Sequence, residues 1–166
     1  MRKDKIYLVG FMSSGKTTAA RSLGQRLGWR TEDIDERIEA LERMTVAEIF
    51  ASRGEPYFRA AERDVLRALL APRNLVVATG GGTFVDPENR AVINDDGVSV
   101  WIDVPFEEVL GRLPADGRRP LASNRTEMEA LYAARRAAYQ QAHLRLDGAR
   151  APVEEVVERV LDWLGY

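Results

Sequence analysis

Three short apolar runs punctuate the chain, at residues 6–9, 75–78 and 98–102, each bounded by Gly, Asp or Pro. Their length and β-branched content predict buried parallel strands. Residues 29–31 and 143–146 are weaker strand candidates. Between these runs the apolar positions recur at helical spacing. The clearest case is the last: Val153, Val156, Val157, Val160, Leu161 and Leu164 form one stripe, with Pro152 near the first turn. A helical run from Ala19 to Leu27 follows the first strand. Further helix starts are signalled by Thr45 with Glu48, by Asn124 with Glu127, and by Asp86-Pro87.

Strand and helix alternate over the whole length, which predicts a three-layer α/β fold with a mainly parallel sheet. The 166 residues fit one domain spanning residues 1–166. There is no internal repeat. One stretch breaks the periodicity: between Leu113 and Ser123 lie Pro114, Asp116, Gly117, Arg118, Arg119 and Pro120, the composition of a mobile lid over about residues 113–124.

Composition narrows the chemistry. A formal charge of −2 argues against a sequence-blind grip on nucleic acid, which needs a net basic surface. The absence of cysteine removes disulfides, zinc–thiolate sites and thiol nucleophiles, and the single histidine, His143, leaves no material for a Ser-His-Asp triad. The basic residues 1–5 and apolar residues 6–12 resemble a short signal peptide. However, Ser13-Ser14-Gly15-Lys16 breaks the run with no small-residue cleavage site after it. No targeting segment, membrane span or membrane partner is therefore expected, and the expectation is a cytoplasmic protein, monomeric.

Gly10-Phe11-Met12-Ser13-Ser14-Gly15-Lys16-Thr17 matches the phosphate-loop pattern of Gly, four residues, Gly, Lys, then Ser or Thr. A strand before it and a helix after it supply the required context. Such a loop wraps backbone N–H groups around phosphates, and the helix N-terminus adds donors and a favourable dipole. Ser13, Ser14, Gly15, Lys16, Thr17 and Thr18 are the expected ATP contacts, with Lys16 at the β- and γ-phosphates and the Thr17 hydroxyl on Mg²⁺. Ser13 stands where many small kinases carry glycine.

Three more features sit at strand ends. Asp33-Ile34-Asp35 follows the second strand, where α/β folds bind ligands. Arg59 and Glu62, within Phe58-Arg59-Ala60-Ala61-Glu62, share a helix face. Gly80-Gly81-Gly82 follows the third strand and lets a ligand approach the backbone. Taken singly, these read as a solvated loop or helix cap, a surface ion pair and a turn. Their joint placement at strand ends after a phosphate loop marks them as one functional cluster and not three coincidences.

With these residues in order, the sequence resembles the shikimate kinase family. The resemblance covers nearly the whole chain: the phosphate loop, Asp33-Ile34-Asp35, Ile49-Phe50 with Gly54-Glu55 and Phe58-Arg59, Gly80-Gly81-Gly82, Arg119-Pro120-Leu121, and Arg135 four residues before Tyr139. It implies a P-loop kinase fold of the nucleoside monophosphate kinase type. That fold has a five-stranded parallel sheet flanked by helices, a substrate-binding helical region over about residues 33–62, and a lid.

The implied reaction is ATP-dependent phosphorylation of the shikimate 3-hydroxyl, giving shikimate 3-phosphate and ADP in aromatic amino acid (chorismate) biosynthesis. The resemblance implies Thr17 and, through water, Asp33 on Mg²⁺. It makes Asp35 the hydroxyl acceptor and base, and Arg59 and Arg135 the carboxylate clamp. Gly81 and Gly82 become backbone contacts to substrate, and Arg119 becomes the lid contact to phosphates. Arg112 and the segment of Arg150 and Pro152 flank adenine. Lys16, Asp35 and Arg119 are thus the catalytic set. Two neighbours compete for roles: Arg136 beside Arg135, where the spacing to Tyr139 favours Arg135, and Arg118 beside Arg119. Ala137 stands where the family usually has proline.

Other readings remain to be weighed. A gluconate kinase of the same fold leaves Asp33-Ile34-Asp35, the three glycines and the two arginines without a purpose. A GTPase switch would carry Asn-Lys-x-Asp, which no Asn here begins. Asp103 resembles a Walker B carboxylate but is expected to close its strand, and His143 and the tryptophans are expected to pack.

Overall fold

In the computed structural model, which describes residues 2–113 and 125–166, five parallel strands are ordered β2-β3-β1-β4-β5. They are β1 (Lys5–Val9), β2 (Arg30–Asp33), β3 (Leu75–Ala78), β4 (Val98–Asp103) and β5 (Leu144–Asp147). Register is set along the buried runs, with Ile6 opposite both Val76 and Val98. β1, β3 and β4 are buried at every position, the burial expected of strands covered on both faces. The edge strand β5 has a single buried residue, Leu146, while β2 has none. Their weak signals in the sequence follow from that exposure.

The helices are α1 (Lys16–Leu27), α2 (Ile34–Glu42), α3 (Val46–Arg53), α4 (Glu55–Ala68), α5 (Pro87–Asp96), α6 (Phe106–Arg112), α7 (Arg125–Tyr139) and α8 (Val153–Leu164). A 3-10 turn, Thr83–Val85, precedes α5. The expected caps form: Thr45 Oγ1 accepts from the Glu48 N–H at 3.1 Å, and Asp86 Oδ1 accepts from the Glu88 N–H at 2.8 Å. Asn124 lies outside the described residues. Pro152 is the residue just before α8, one position earlier than a first-turn proline. The α8 stripe buries Val156, Val157, Val160, Leu161 and Leu164, whereas Trp163 is 39% exposed and packs less than expected. No helix among the described residues is long and apolar enough to cross a membrane.

β1 and β3 lie side by side, yet the chain leaves them in opposite directions across the sheet, β1 toward β2 and β3 toward β4. A crevice opens at the carboxyl ends of such a strand pair. The phosphate loop follows β1 there, and the glycine triplet follows β3.

At the amino ends of the central strands lies a charged network. Lys5 is fully buried, and its Nζ lies 2.8 Å from Asp96 Oδ2 and donates to Leu70 O at 3.0 Å. Asp96 also accepts from Tyr7 Oη and Arg73 Nη1, both at 2.6 Å. Burial disfavours the Lys5 charge and holds its pKa below the usual lysine value, with Asp96 opposing that shift only in part. Removing one partner of a buried pair leaves the other uncompensated. Asp96→Ala is therefore expected to lower unfolding stability by about 3–5 kcal/mol in urea titrations. A loss below about 1 kcal/mol would show that the network is not needed.

Candidate functional site

The phosphate loop begins at Gly10, whose φ of 148° places its backbone where side chains rarely fit; a Cβ there would lie 2.8 Å from Ile102 O. Ser13 has a φ of 60°, the left-handed region that costs a non-glycine residue about 1 kcal/mol. That is the physical reason glycine suits this position. Lys16 is buried, and its Nζ donates to Gly10 O at 2.7 Å and to Phe11 O at 2.8 Å. These carbonyls hold the ammonium group inside the loop. Thr17 Oγ1 donates to Asp33 Oδ2 at 2.6 Å, while Asp33 Oδ1 caps α2 through the Glu36 N–H at 3.0 Å. Asp33 thus joins the phosphate loop to the first helix of the second half of the site.

Two hollows meet at Met12, Asp35, Gly80 and Gly81. The first, of about 390 Å³, is walled by residues 12–18 of the loop with Asp33 and Thr79. The second, of about 580 Å³, lies between the glycine triplet and α2, α3 and α4. Its apolar wall includes Met12, Val46, Phe50 and Phe58, and its polar groups are Asp35, Glu39, Arg59, Glu62 and Arg135. Phe50 and Phe58 pack with ring centroids 4.9 Å apart.

Each glycine of the triplet makes room for one charged side chain. A Cβ on Gly80 would lie 2.7 Å from Asp35 Oδ1. One on Gly81 would lie 3.0 Å from Arg135 Nη1, and one on Gly82 would lie 2.5 and 2.6 Å from the terminal nitrogens of Arg59. The triplet is held by its neighbours. The Gly80 N–H donates to Thr83 Oγ1 at 2.9 Å, which donates to Glu62 Oε2 at 2.8 Å. Tyr139 Oη donates to Gly81 O. Glu62 in turn accepts from Arg59 Nη1 at 3.1 Å. The Arg59–Glu62 pair is not the surface pair that spacing alone allows, because Glu62 is 1% exposed. Glu62, Thr83 and Tyr139 are supporting residues whose contacts the sequence did not reveal; the clues were the shared face of Glu62 with Arg59 and the spacing of Tyr139 from Arg135.

Charge is separated across this cleft. Asp35 Oδ1 is buried without a hydrogen-bond partner. Burial first, then the nearby Asp33 and Glu62 carboxylates, push the Asp35 carboxyl up to about 7, against the pull of Lys16. In the same hollow, Arg135 is 6% exposed and lies 5.9 Å over the Phe11 ring. Burial is the main influence disfavouring its charge, and neighbouring Arg59 adds to it. Two guanidinium groups, only one of them paired to the buried Glu62, leave net positive charge that suits an anion.

Consecutive arginines on α7 point in different directions. Arg136 leaves the cleft and pairs with Asp103, Nη1 to Oδ1 at 2.7 Å, with its guanidinium 4.9 Å over Trp101. Arg145 Nε joins the same carboxylate at 2.9 Å. Asp103 is therefore taken up by two arginines. His143 Nδ1 accepts the Ser99 N–H at 3.0 Å, a strand-edge contact.

A third hollow, of about 210 Å³, continues from Ser14, Gly15 and Thr18 to Arg112, Gly148, Ala151, Val153 and Val156. Arg112 lines it. Arg150 and Pro152 sit in the loop that walls it, with Gly148, Ala151 and Val153 presenting the lining atoms. Apart from Leu113, the expected lid with Arg118 and Arg119 lies outside the described residues.

Comparison with known proteins identifies the family and the fold. A description of the shikimate kinase family matches residues 12–165. The shikimate kinase of Persephonella marina is 40% identical over 157 residues, 94% of this chain and 96% of its own. The crystal structure of shikimate kinase from Aquifex aeolicus superposes with a TM-score of 0.88 at 37% identity, covering 96% of this chain and 95% of that one. The Acinetobacter baumannii shikimate kinase in complex with shikimate gives a TM-score of 0.92 at 32% identity, covering 98% and 93%. On sequence and fold together, the chain belongs to the shikimate kinase family.

Proposed function

We propose that the cleft transfers the γ-phosphoryl group of ATP to the 3-hydroxyl of shikimate, giving shikimate 3-phosphate and ADP, a step of aromatic amino acid biosynthesis. One observation carries the reading. The unbonded Asp35 acceptor and the Arg59 and Arg135 guanidinium groups line one hollow, beside Gly80, Gly82 and Gly81 respectively, and Asp35 also lines the adjoining hollow of the phosphate loop. Shikimate carries the complementary groups, a carboxylate for the arginines and ring hydroxyls for Asp35.

Arg59 and Arg135 take the carboxylate, and Gly81 and Gly82 present backbone to the ring. Asp35 accepts the 3-hydroxyl and takes its proton as the oxygen bonds to the γ-phosphorus and the bond to ADP breaks. A carboxyl near 7 suits that exchange at neutral pH. Lys16 and the loop N–H groups of Ser13, Ser14, Gly15, Thr17 and Thr18 hold the phosphates, with Arg119 as the lid contact. The hollow beside Arg112 takes the adenine.

Thr17 and Asp33 suit Mg²⁺. They present a hydroxyl and a carboxylate oxygen 2.6 Å apart at the loop mouth, and no cluster of three or more acidic or histidine ligands occurs among the described residues. Mg²⁺ favours such sparse oxygen sites, completing its shell with waters and phosphates. When bound, it would neutralise charge on the β- and γ-phosphates. α2, α3 and α4 form the substrate-binding region, and the protein acts as a cytoplasmic monomer.

Three measurements test this reading. ADP release coupled to a reporter, with ATP, Mg²⁺ and either shikimate, gluconate or no acceptor, should depend on shikimate; turnover without it, or with gluconate alone, overturns the assignment. Gly82→Ala should raise the shikimate KM about tenfold or more by displacing the Arg59 tip, with thermal stability and the ATP KM little changed. An unchanged shikimate KM would remove Arg59 from the clamp.

Asp35→Asn should cut kcat on the order of 10²-fold or more. The same change has a stability signature. A carboxyl raised from 3.8 to about 7 in the fold contributes stability fully only below pH ~4, and that contribution is lost as pH rises through ~7. The unliganded Asn variant should therefore melt higher than wild type at pH 8, by about 2–4 °C per kcal/mol released, with the gap closing toward pH 5. A lower melting point at pH 8 would show that Asp35 is not strained by its surroundings.

A further inference from the structure

One carboxylate outside the residues assigned so far ties together three elements around the third hollow. Glu108 lies in the first turn of α6. Its Oε2 accepts from Arg112 Nη2 at 2.6 Å, one helical turn on. Its Oε1 accepts the backbone N–H of Arg150 at 2.8 Å, from the loop between β5 and α8. Arg112 completes the link by donating Nη1 to Ser13 O of the phosphate loop at 3.2 Å. Both arms need holding. The Arg112 side chain is long and rotamer-rich, so ordering it against a ligand is unfavourable. Arg150 has a φ of 51°, a left-handed backbone that a non-glycine residue keeps only when its surroundings impose it.

We propose that Glu108 is a positioning residue for the nucleotide base. One of its oxygens orients the Arg112 guanidinium on one side of the hollow, and the other fixes the Arg150 peptide so that Gly148, Ala151 and Val153 form the facing wall. The inference rests on the reading of this hollow as the adenine site. It assigns Glu108 to base recognition and not to phosphate binding, because its two bonds go to Arg112 and Arg150, and Arg112 meets the phosphate loop at the Ser13 carbonyl and not at an N–H that faces phosphate. The pair with Arg112 is partly exposed, with side-chain accessibilities of 37% and 21% for Arg112 and Glu108, and contributes little to folding. Substitutions should thus be felt in the ligand and not in the fold.

The test compares ATP with inorganic tripolyphosphate, which engages the phosphate loop but has no base. Glu108→Gln keeps an acceptor for Arg150 and loses the charge facing Arg112, so the ATP KM should rise about threefold. Glu108→Ala loses both contacts, and the rise should reach about tenfold or more. For both variants kcat at saturating ATP, the shikimate KM and the tripolyphosphate inhibition constant should move less than about twofold. The proposal is overturned if Glu108→Ala shifts the ATP KM less than twofold, or weakens ATP and tripolyphosphate equally. Ala151→Trp, which fills the hollow, separates the underlying reading: it should weaken ATP and spare tripolyphosphate. ATP binding unaffected by that plug would show that the base sits elsewhere, and the role of Glu108 would fall with it.

Discussion

The acceptor side of the cleft is gathered around a piece of main chain that carries no side chains. Gly80, Gly81 and Gly82 stand where any Cβ would lie within 3.0 Å of Asp35, Arg135 or Arg59 respectively. Three charged groups from α2, α7 and α4 can therefore converge on one hollow, which residues with Cβ atoms would force apart. The triplet is fixed from behind through Thr83, Glu62 and Tyr139. Its placement beside the phosphate loop follows from β1 and β3 being neighbours whose onward connections diverge.

The two ends of the sheet treat buried charge in opposite ways. At the amino ends of the strands, Lys5, Tyr7, Asp96 and Arg73 satisfy one another, and the network serves stability. At the carboxyl ends, Asp35 keeps an unbonded buried oxygen, Ser13 holds a left-handed backbone, and two guanidinium groups lie close together. Each of these is unfavourable in itself; in the proposed reading a substrate hydroxyl would relieve Asp35 and a substrate carboxylate the two arginines. A core of fully buried strands makes such an arrangement tolerable, because the hollow has no freedom to collapse.

Much of this was legible from the chain alone. A phosphate loop declares itself because its chemistry is local: backbone donors, a lysine and a hydroxyl must follow one another at set spacing. The same holds for the caps at Thr45 and Asp86, where a side chain reaches a backbone three or fewer residues away. The buried strands were visible because covering both faces demands unbroken apolar runs. The exposed β2 and β5 were faint for the converse reason, and the exposure of Trp163 was not foreseen because a tryptophan on an apolar helix looks the same whether or not something covers it.

What the sequence determined by itself, then, was the kind of ligand and the set of charged residues available to meet it. What only the tertiary structure decided was how those residues are divided. Adjacent side chains on a helix diverge by roughly 100°, so Arg135 enters the cleft while Arg136 is claimed by Asp103 and Trp101. Glu62 could not be told from a surface partner of Arg59 until Thr83 and the glycine triplet closed over it. Glu108 shows only an i,i+4 spacing to Arg112, which reads as a surface pair, because its other partner Arg150 is 42 residues away. Contacts between distant segments leave no trace in local spacing, and it is those contacts that hold each charge where its ligand will arrive.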